Sequence, residues 1–290
     1  MVKQNSSKRG LSHLIERFVQ RCGLGDLSPE QAIRTLAGRL AAEAAGNLDA
    51  LLPIRNIDRD VALAEDLPCD GLIEPKGGTY KDGFKMRLRR GQAERRLRFT
   101  KAHEICHTFF YELAPELKFR PHRNDPVEEQ LCNIGAAELL MPLVSVTTEA
   151  CSMPVSIESL MVLARRFDVS ASAMLVRLRQ ARLWHCELAY WHRMLDGSFV
   201  LDRKTGGRKA NWQIDSSILQ TVWDNHAGKM QSGITFIYFE QGGLSAAERV
   251  YYQAKRHGPS VVTLLCKRKF PERQEVPLLF RNVKPRRIKS

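Results

Sequence analysis

The chain has 290 residues, 43% of them hydrophobic and 27% charged, which excludes wholesale disorder and allows one large domain or two to three small ones. Forty-five Lys and Arg against 32 Asp and Glu leave a net charge of +13, a field that attracts polyanions. Seven scattered cysteines without a C-x-x-C pair exclude a thiolate zinc knuckle and point to reduced, mostly buried thiols.

No apolar run approaches the roughly 18 residues that span a bilayer. The opening MVKQNSSKRG has no apolar stretch after its basic residues, so the expectation is a cytoplasmic protein that meets no membrane.

In chain order, residues 11 to 65 read as helical, with Leu14, Ile15 and Phe18 at helical spacing followed by the alanine-rich IRTLAGRLAAEAA. The period then changes. Phe84, Met86 and Leu88 alternate with Lys85, Arg87 and Arg89, the pattern of a half-buried strand, and Gly77-Gly78 and the segment 90–93 punctuate it as turns. A small antiparallel sheet is expected to lead into FTKAHEICHTFFYE. There Thr100 is placed to cap a helix over 101–113, and Pro115 to stop it.

Asp125 and Pro126 open another helix, NDPVEEQLCNIGAAELLMP, apolar almost all round from Leu131 to Met141. VSIESLMVLARRFDVSASAMLVRLRQ reads as two helices broken at Asp168-Val169. From about His185, strand-like runs such as GITFIYFE and SVVTLLCKR return around helical stretches, for an α+β class as a whole.

At about 100° per residue, His103 and His107 project from nearly the same face one turn apart, so two imidazoles can reach one ion. Both border the buried stripe of Ala102, Ile105, Cys106, Phe109, Phe110 and Leu113. Glu104 lies just beyond them, poised as a proton acceptor that is not itself a ligand. A catalytic zinc site wants a third protein ligand. Glu128 stands three residues after Asp125, where it closes a capping-box-like pair. Glu129 has no such role, and it shares a face with Asn133, Ala136 and Ala137, while the small Gly135, Ala136 and Ala137 permit close approach of the two helices. Glu129 is the expected third ligand. Glu138 is the runner-up, with a buried ion pair to an arginine as its other reading.

Together, RFTKAHEICHTFFYE and EEQLCNIGAAELLMP resemble the ImmA/IrrE family of bacterial metallo-endopeptidases, whose pattern is an H-E-x-x-H helix followed by a glutamate helix ending in A-A-x-L-L-M-P. The resemblance is strongest from about Leu97 to Pro142. It implies zinc, with manganese or another divalent ion as the substitute, held by His103, His107 and Glu129, and Glu104 as the catalytic carboxylate. It also implies a zincin-like domain over 1–150, a helix-turn-helix-like segment over 151–184, and a C-terminal α+β domain over 185–290 similar to the GAF sensor fold. The implied substrate is a DNA-bound helix-turn-helix repressor, cleaved so that stress-response or mobile-element genes are switched on.

Substrate backbone is expected to add along the strand GFKMRLRR. His122, in the loop RPHRND, reads as a solvent-facing histidine, with stabilisation of the tetrahedral intermediate as its alternative role, and Tyr111 as a rim residue. Two rivals stand beside this reading. One is a DNA-binding regulator that inserts Ser172, Arg177 or Arg179 into a groove; the other keeps the metal but binds a repressor without cutting it. The basic segments KDGFKMRLRRGQAERRLRFTK and RNVKPRRIKS allow weak, sequence-blind attraction to nucleic acid in any of these.

Overall fold

The computed structural model describes residues 20, 26–44, 46–78, 82–111, 126–205, 212–225, 228–241 and 244–271. Leu14, Ile15, Phe18, Pro115, His122, Asp125 and the basic C-terminal run lie outside them, as does the Tyr111 side chain. The protein is α+β and divides into two compact units, the first reaching Pro142 and the second beginning at Leu143. The segment 151–184, read from sequence as separate, belongs to the second unit. Among the described residues no single helix is long and apolar enough to cross a membrane.

The first unit has two early helices, α1 (Pro29–Ala44) and α2 (Leu48–Ile54), then strands β1 (Ala62–Ala64), β2 (Gly71–Pro75) and β3 (Phe84–Arg89). The alternation seen in sequence is obeyed: Phe84, Met86 and Leu88 are buried at 3%, 1% and 2% exposure. The sheet, however, is mixed rather than antiparallel. Its order is β1-β3-β2, with β1 parallel and β2 antiparallel to β3. Residue 59 to 61 backbone turns tightly into β1, and Ile57 bridges to Phe84 in parallel, so the incoming chain runs alongside β3 rather than folding back on it.

Helix α3 (Glu94–Tyr111) starts seven residues before the expected point. A turn through Gly91, at φ +83°, reverses the chain, and Glu94 supplies an acid in the first turn. Thr100 therefore lies inside the helix and caps nothing. Its hydroxyl sits 3.0 Å from both the Arg96 carbonyl and Gln92 Oε1, the back-bond that a mid-helix threonine makes to residue i−4. Helix α4 (Pro126–Leu140) packs against both α1 and α3. Gly135 permits this. A Cβ there would stand 2.7 Å from Cys106 Sγ and 3.1 Å from Ile33 Cγ1, closer than real contacts allow.

The second unit opens with α5 (Leu143–Cys151), α6 (Ile157–Arg166) and α7 (Ala171–Gln180), with the break between α6 and α7 at Asp168, φ +50°. Strands β4 (Cys186–Arg193), β5 (Phe199–Thr205) and β6 (Trp212–Ile214), helix α8 (Ser216–Asp224), and strands β7 (Gln231–Gln241), β8 (Leu244–His257) and β9 (Ser260–Cys266) follow. The six strands form one antiparallel sheet in the order β5-β4-β9-β8-β7-β6.

Its core gathers Trp191, Trp212, Ile237, Val250 and Val261 with Leu219 and Val222 of α8. The Trp191 and Trp212 rings meet edge to face at 5.4 Å, and Trp191 Nε1 donates to Thr263 Oγ1 at 3.0 Å. On the helical side the Ile157 N–H donates to Gln253 Oε1 at 2.9 Å. None of the six cysteines among the described residues is in a disulfide.

Candidate metal centre

Helices α3 and α4 bring three donor groups to one point. His103 Nε2 lies 3.0 Å from His107 Nε2 and 3.0 Å from Glu129 Oε2, and His107 Nε2 lies 3.6 Å from Glu129 Oε1. Ligands at zinc–nitrogen distances in a tetrahedron stand roughly 3.4 Å apart, so the triangle has the size that a single ion requires. The two rings are steeply inclined, 78° apart with centroids at 4.7 Å, which lets both point a nitrogen inward.

The outer nitrogens are held as well. His107 Nδ1 is 2.7 Å from Glu128 Oε1, and His103 Nδ1 is 3.1 Å from Asn133 Oδ1. An oxygen acceptor at Nδ1 takes that nitrogen's hydrogen and leaves the lone pair on Nε2. Two imidazole lone pairs and a carboxylate that face one another repel unless a cation sits between them, so the donor set fits a divalent ion.

Glu104 is buried at 5% exposure and lines the same pocket of about 250 Å³ as His103, His107, Glu129 and Asn133. It is not one of the three converging donors. The strand β2 closes the pocket from the other side through Gly71, where a Cβ would lie 2.9 Å from Glu104 Oε1 and 2.5 Å from Thr100 Cγ2. Only a residue without a side chain lets the backbone come this near to the carboxylate. Edge position matters here: β3 is central, so the strand that can receive another chain beside the pocket is β2, and the expected site along GFKMRLRR moves to its neighbour.

Glu138 does not join the cluster. It is 7% exposed with Arg34 Nη1 at 3.9 Å, the ion-pair reading of this runner-up. Cys106, packed under Gly135, has its thiol pushed up by burial and is no thiolate ligand. What sequence reasoning missed is Glu128, assigned to a cap but buried at 5% against His107. The usable signal was periodicity. Residues 128 and 132, and residues 129 and 133, are two i, i+4 pairs on adjacent rows of α4, and they straddle the i, i+4 pair of histidines.

The basic strand is neutralised locally. Arg87 meets Glu74 at 2.9 Å, Arg90 meets Glu65 at 3.1 Å, Arg89 lies 3.9 Å from Asp70, and Arg96 pairs with Asp70 as well. In the second unit, Arg177 is 1% exposed and bonds to Gln180 Oε1, while Arg179 donates to the Cys186 carbonyl. Arg177 is thus withdrawn from the surface, while Arg179 is partly exposed.

A family model described as the IrrE N-terminal-like domain matches residues 76–179. Over 90 residues the chain is 39% identical to the radiation response metalloprotease IrrE of Deinococcus deserti, which is 29% of this chain and 32% of that protein. The match thus spans about a third of the relative's length. Among solved structures, a Mycobacterium tuberculosis transcriptional regulator aligns with a TM-score of 0.43 and 14% identity over 88% of this chain and 80% of that one, too loose a likeness to carry an argument. The pair of motifs and the domain match agree: over residues 76–179 the chain is similar to the IrrE N-terminal-like domain of the ImmA/IrrE metallopeptidases.

Proposed function

We propose that the protein is a zinc-dependent endopeptidase, acting in the cytoplasm on a DNA-bound helix-turn-helix repressor and thereby releasing stress-response or mobile-element genes. The observation that carries the chemistry is the convergence of His103, His107 and Glu129 donor atoms beside Glu104 in one pocket. The regulatory half rests on kinship with a radiation response metalloprotease. Manganese or another divalent ion fits the same nitrogen and oxygen donors less closely than zinc.

His103, His107 and Glu129 would hold the ion, which when bound supplies a Lewis acid that polarises the scissile carbonyl and acidifies water. Glu104 accepts the proton of the attacking water at its carboxylate and delivers it to the leaving amine nitrogen. Its burial beneath Gly71 keeps bulk solvent from competing for that proton. An extended peptide adds to β2, whose outer side pairs with no strand among the described residues, and so passes over the pocket. The zincin-like arrangement of helix, edge strand and glutamate helix is part of this proposal. So is a sensor role for the six-stranded antiparallel sheet, similar to a GAF domain.

The test is incubation of the purified chain with a candidate helix-turn-helix repressor, with and without a chelator. Cleavage that stops with chelator and returns with zinc supports the proposal. In Glu104→Gln the cleavage rate should fall on the order of 10²- to 10⁴-fold with metal content unchanged. If that variant relieves repression as well as the parent, the protein works by binding and not by cutting. Sequence-specific DNA recognition through α7 finds little support, since Arg177 is buried and Arg179 is engaged by backbone.

A further inference from the structure

We propose that Glu128 is the positioning residue of the metal centre: it fixes the ring of His107 so that Nε2 faces His103 and Glu129, and without it the centre loses most of its affinity for a divalent ion. This rests on the metal-centre reading above. Glu128 and Glu129 are neighbours on α4, about 100° apart around its axis, and they reach opposite nitrogens of one imidazole. Glu129 Oε1 is 3.6 Å from His107 Nε2, and Glu128 Oε1 is 2.7 Å from His107 Nδ1. One turn further along the row of Glu128, Cys132 completes the grip, its Sγ 3.2 Å from the same Nδ1.

The two histidines are not held alike. His107 is 1% exposed and meets a carboxylate that is itself 5% exposed, so the contact is charge-assisted and shielded from water. His103 meets the neutral amide of Asn133, an exposed residue, at 3.1 Å, where water competes. A buried carboxylate is costly unless it is compensated, and an imidazole carrying a cation on its far nitrogen offsets that cost through the ring. The asymmetry makes a prediction that a general packing role does not: removing Glu128 must weaken metal binding far more than removing Asn133.

The experiment measures zinc dissociation constants on the full chain by competition with a chromophoric chelator, for the parent, Glu128→Ala, Glu128→Gln, Asn133→Ala and His107→Ala. The visible spectrum of the cobalt(II) form is recorded alongside. Glu128→Ala should bind zinc on the order of 10- to 100-fold more weakly and shift the cobalt spectrum, while Asn133→Ala changes Kd by only a few-fold. Glu128→Gln retains an acceptor oxygen on the same stem and should recover most of the loss. It also serves in place of the alanine variant should that one not fold, and is then expected to bind several-fold more weakly than the parent.

A Kd within twofold of the parent for Glu128→Ala, or for Glu128→Gln where alanine does not fold, overturns the inference. With His107→Ala empty and the parent loaded, that result leaves the metal centre standing. If the parent takes up no divalent ion, the metal-centre reading and this inference fall together.

Discussion

The two units bury different kinds of side chain. In the first, Glu104, His107, Glu128 and Glu138 are all less than a tenth exposed, and the first three crowd the seam between α3 and α4. In the second, the sheet core is Ile237, Val250, Ala254 and Val261 at 1% exposure or less, with the neutral Thr263 and Gln253 buried and hydrogen-bonded in that sheet, and the buried charge of Arg177 lies away from it on α7. Burying an ionisable group costs several kcal/mol unless it is paired, so a region that needed only stability would be built like the sheet core of the second unit. The contrast teaches where the candidate site lies: the first unit gives up apolar packing at one seam to hold carboxylates and imidazoles at fixed distances.

The sharpest way to break the contrast is to empty the seam. His107→Ala removes one donor and should abolish metal uptake and all metal-dependent activity, read by metal analysis of the purified protein. Next in size, Ile237→Ala in the fully buried sheet core should cost about 2–5 kcal/mol in denaturant unfolding through the cavity it leaves, yet keep zinc Kd unchanged. A changed Kd would show that the two units are not energetically separate.

Gly135→Ala sets two effects against each other. Overpacking against Cys106 costs about 1–3 kcal/mol, while alanine gains about 1 kcal/mol in helix propensity, for a net loss of about 0–2 kcal/mol with weaker metal binding, since α4 must move away from α3. At the small end, Arg90→Ala breaks the pair with Glu65, whose partners are 60% and 77% exposed at their side chains. It should change stability by less than about 0.5 kcal/mol, and a larger effect would mean that the basic strand does more than solvate the surface.

Much of the site was legible before any coordinates. The four-residue spacing of His103 and His107 needs only a helix to bring them together, and Glu129 lay on the helix that the small residues around Gly135 brought close. The contact of Glu128 with His107 was not anticipated because a local explanation, a capping pair with Asp125, was sufficient on paper; Asp125 lies outside the described residues. Which of two adjacent glutamates faces which nitrogen depends on how α4 is rotated against α3, and no single-helix pattern carries that angle. Thr100 was misread for a similar reason: threonine suits a cap and also tolerates a helix interior, and the turn at Gly91 decided between them.

By itself the sequence determined the α+β class, the half-buried strand at 84–89, the break at Asp168 and the pairing of chemical groups on α3, all consequences of short-range periodicity. Only the tertiary structure decided that β2 and not β3 is the edge beside the pocket, that the first sheet is mixed, that α5 to α7 belong with the second unit, and that Glu128 backs His107. Those outcomes depend on strand order and helix rotation. They are set by contacts between residues far apart in the chain, to which local hydrophobic spacing is blind.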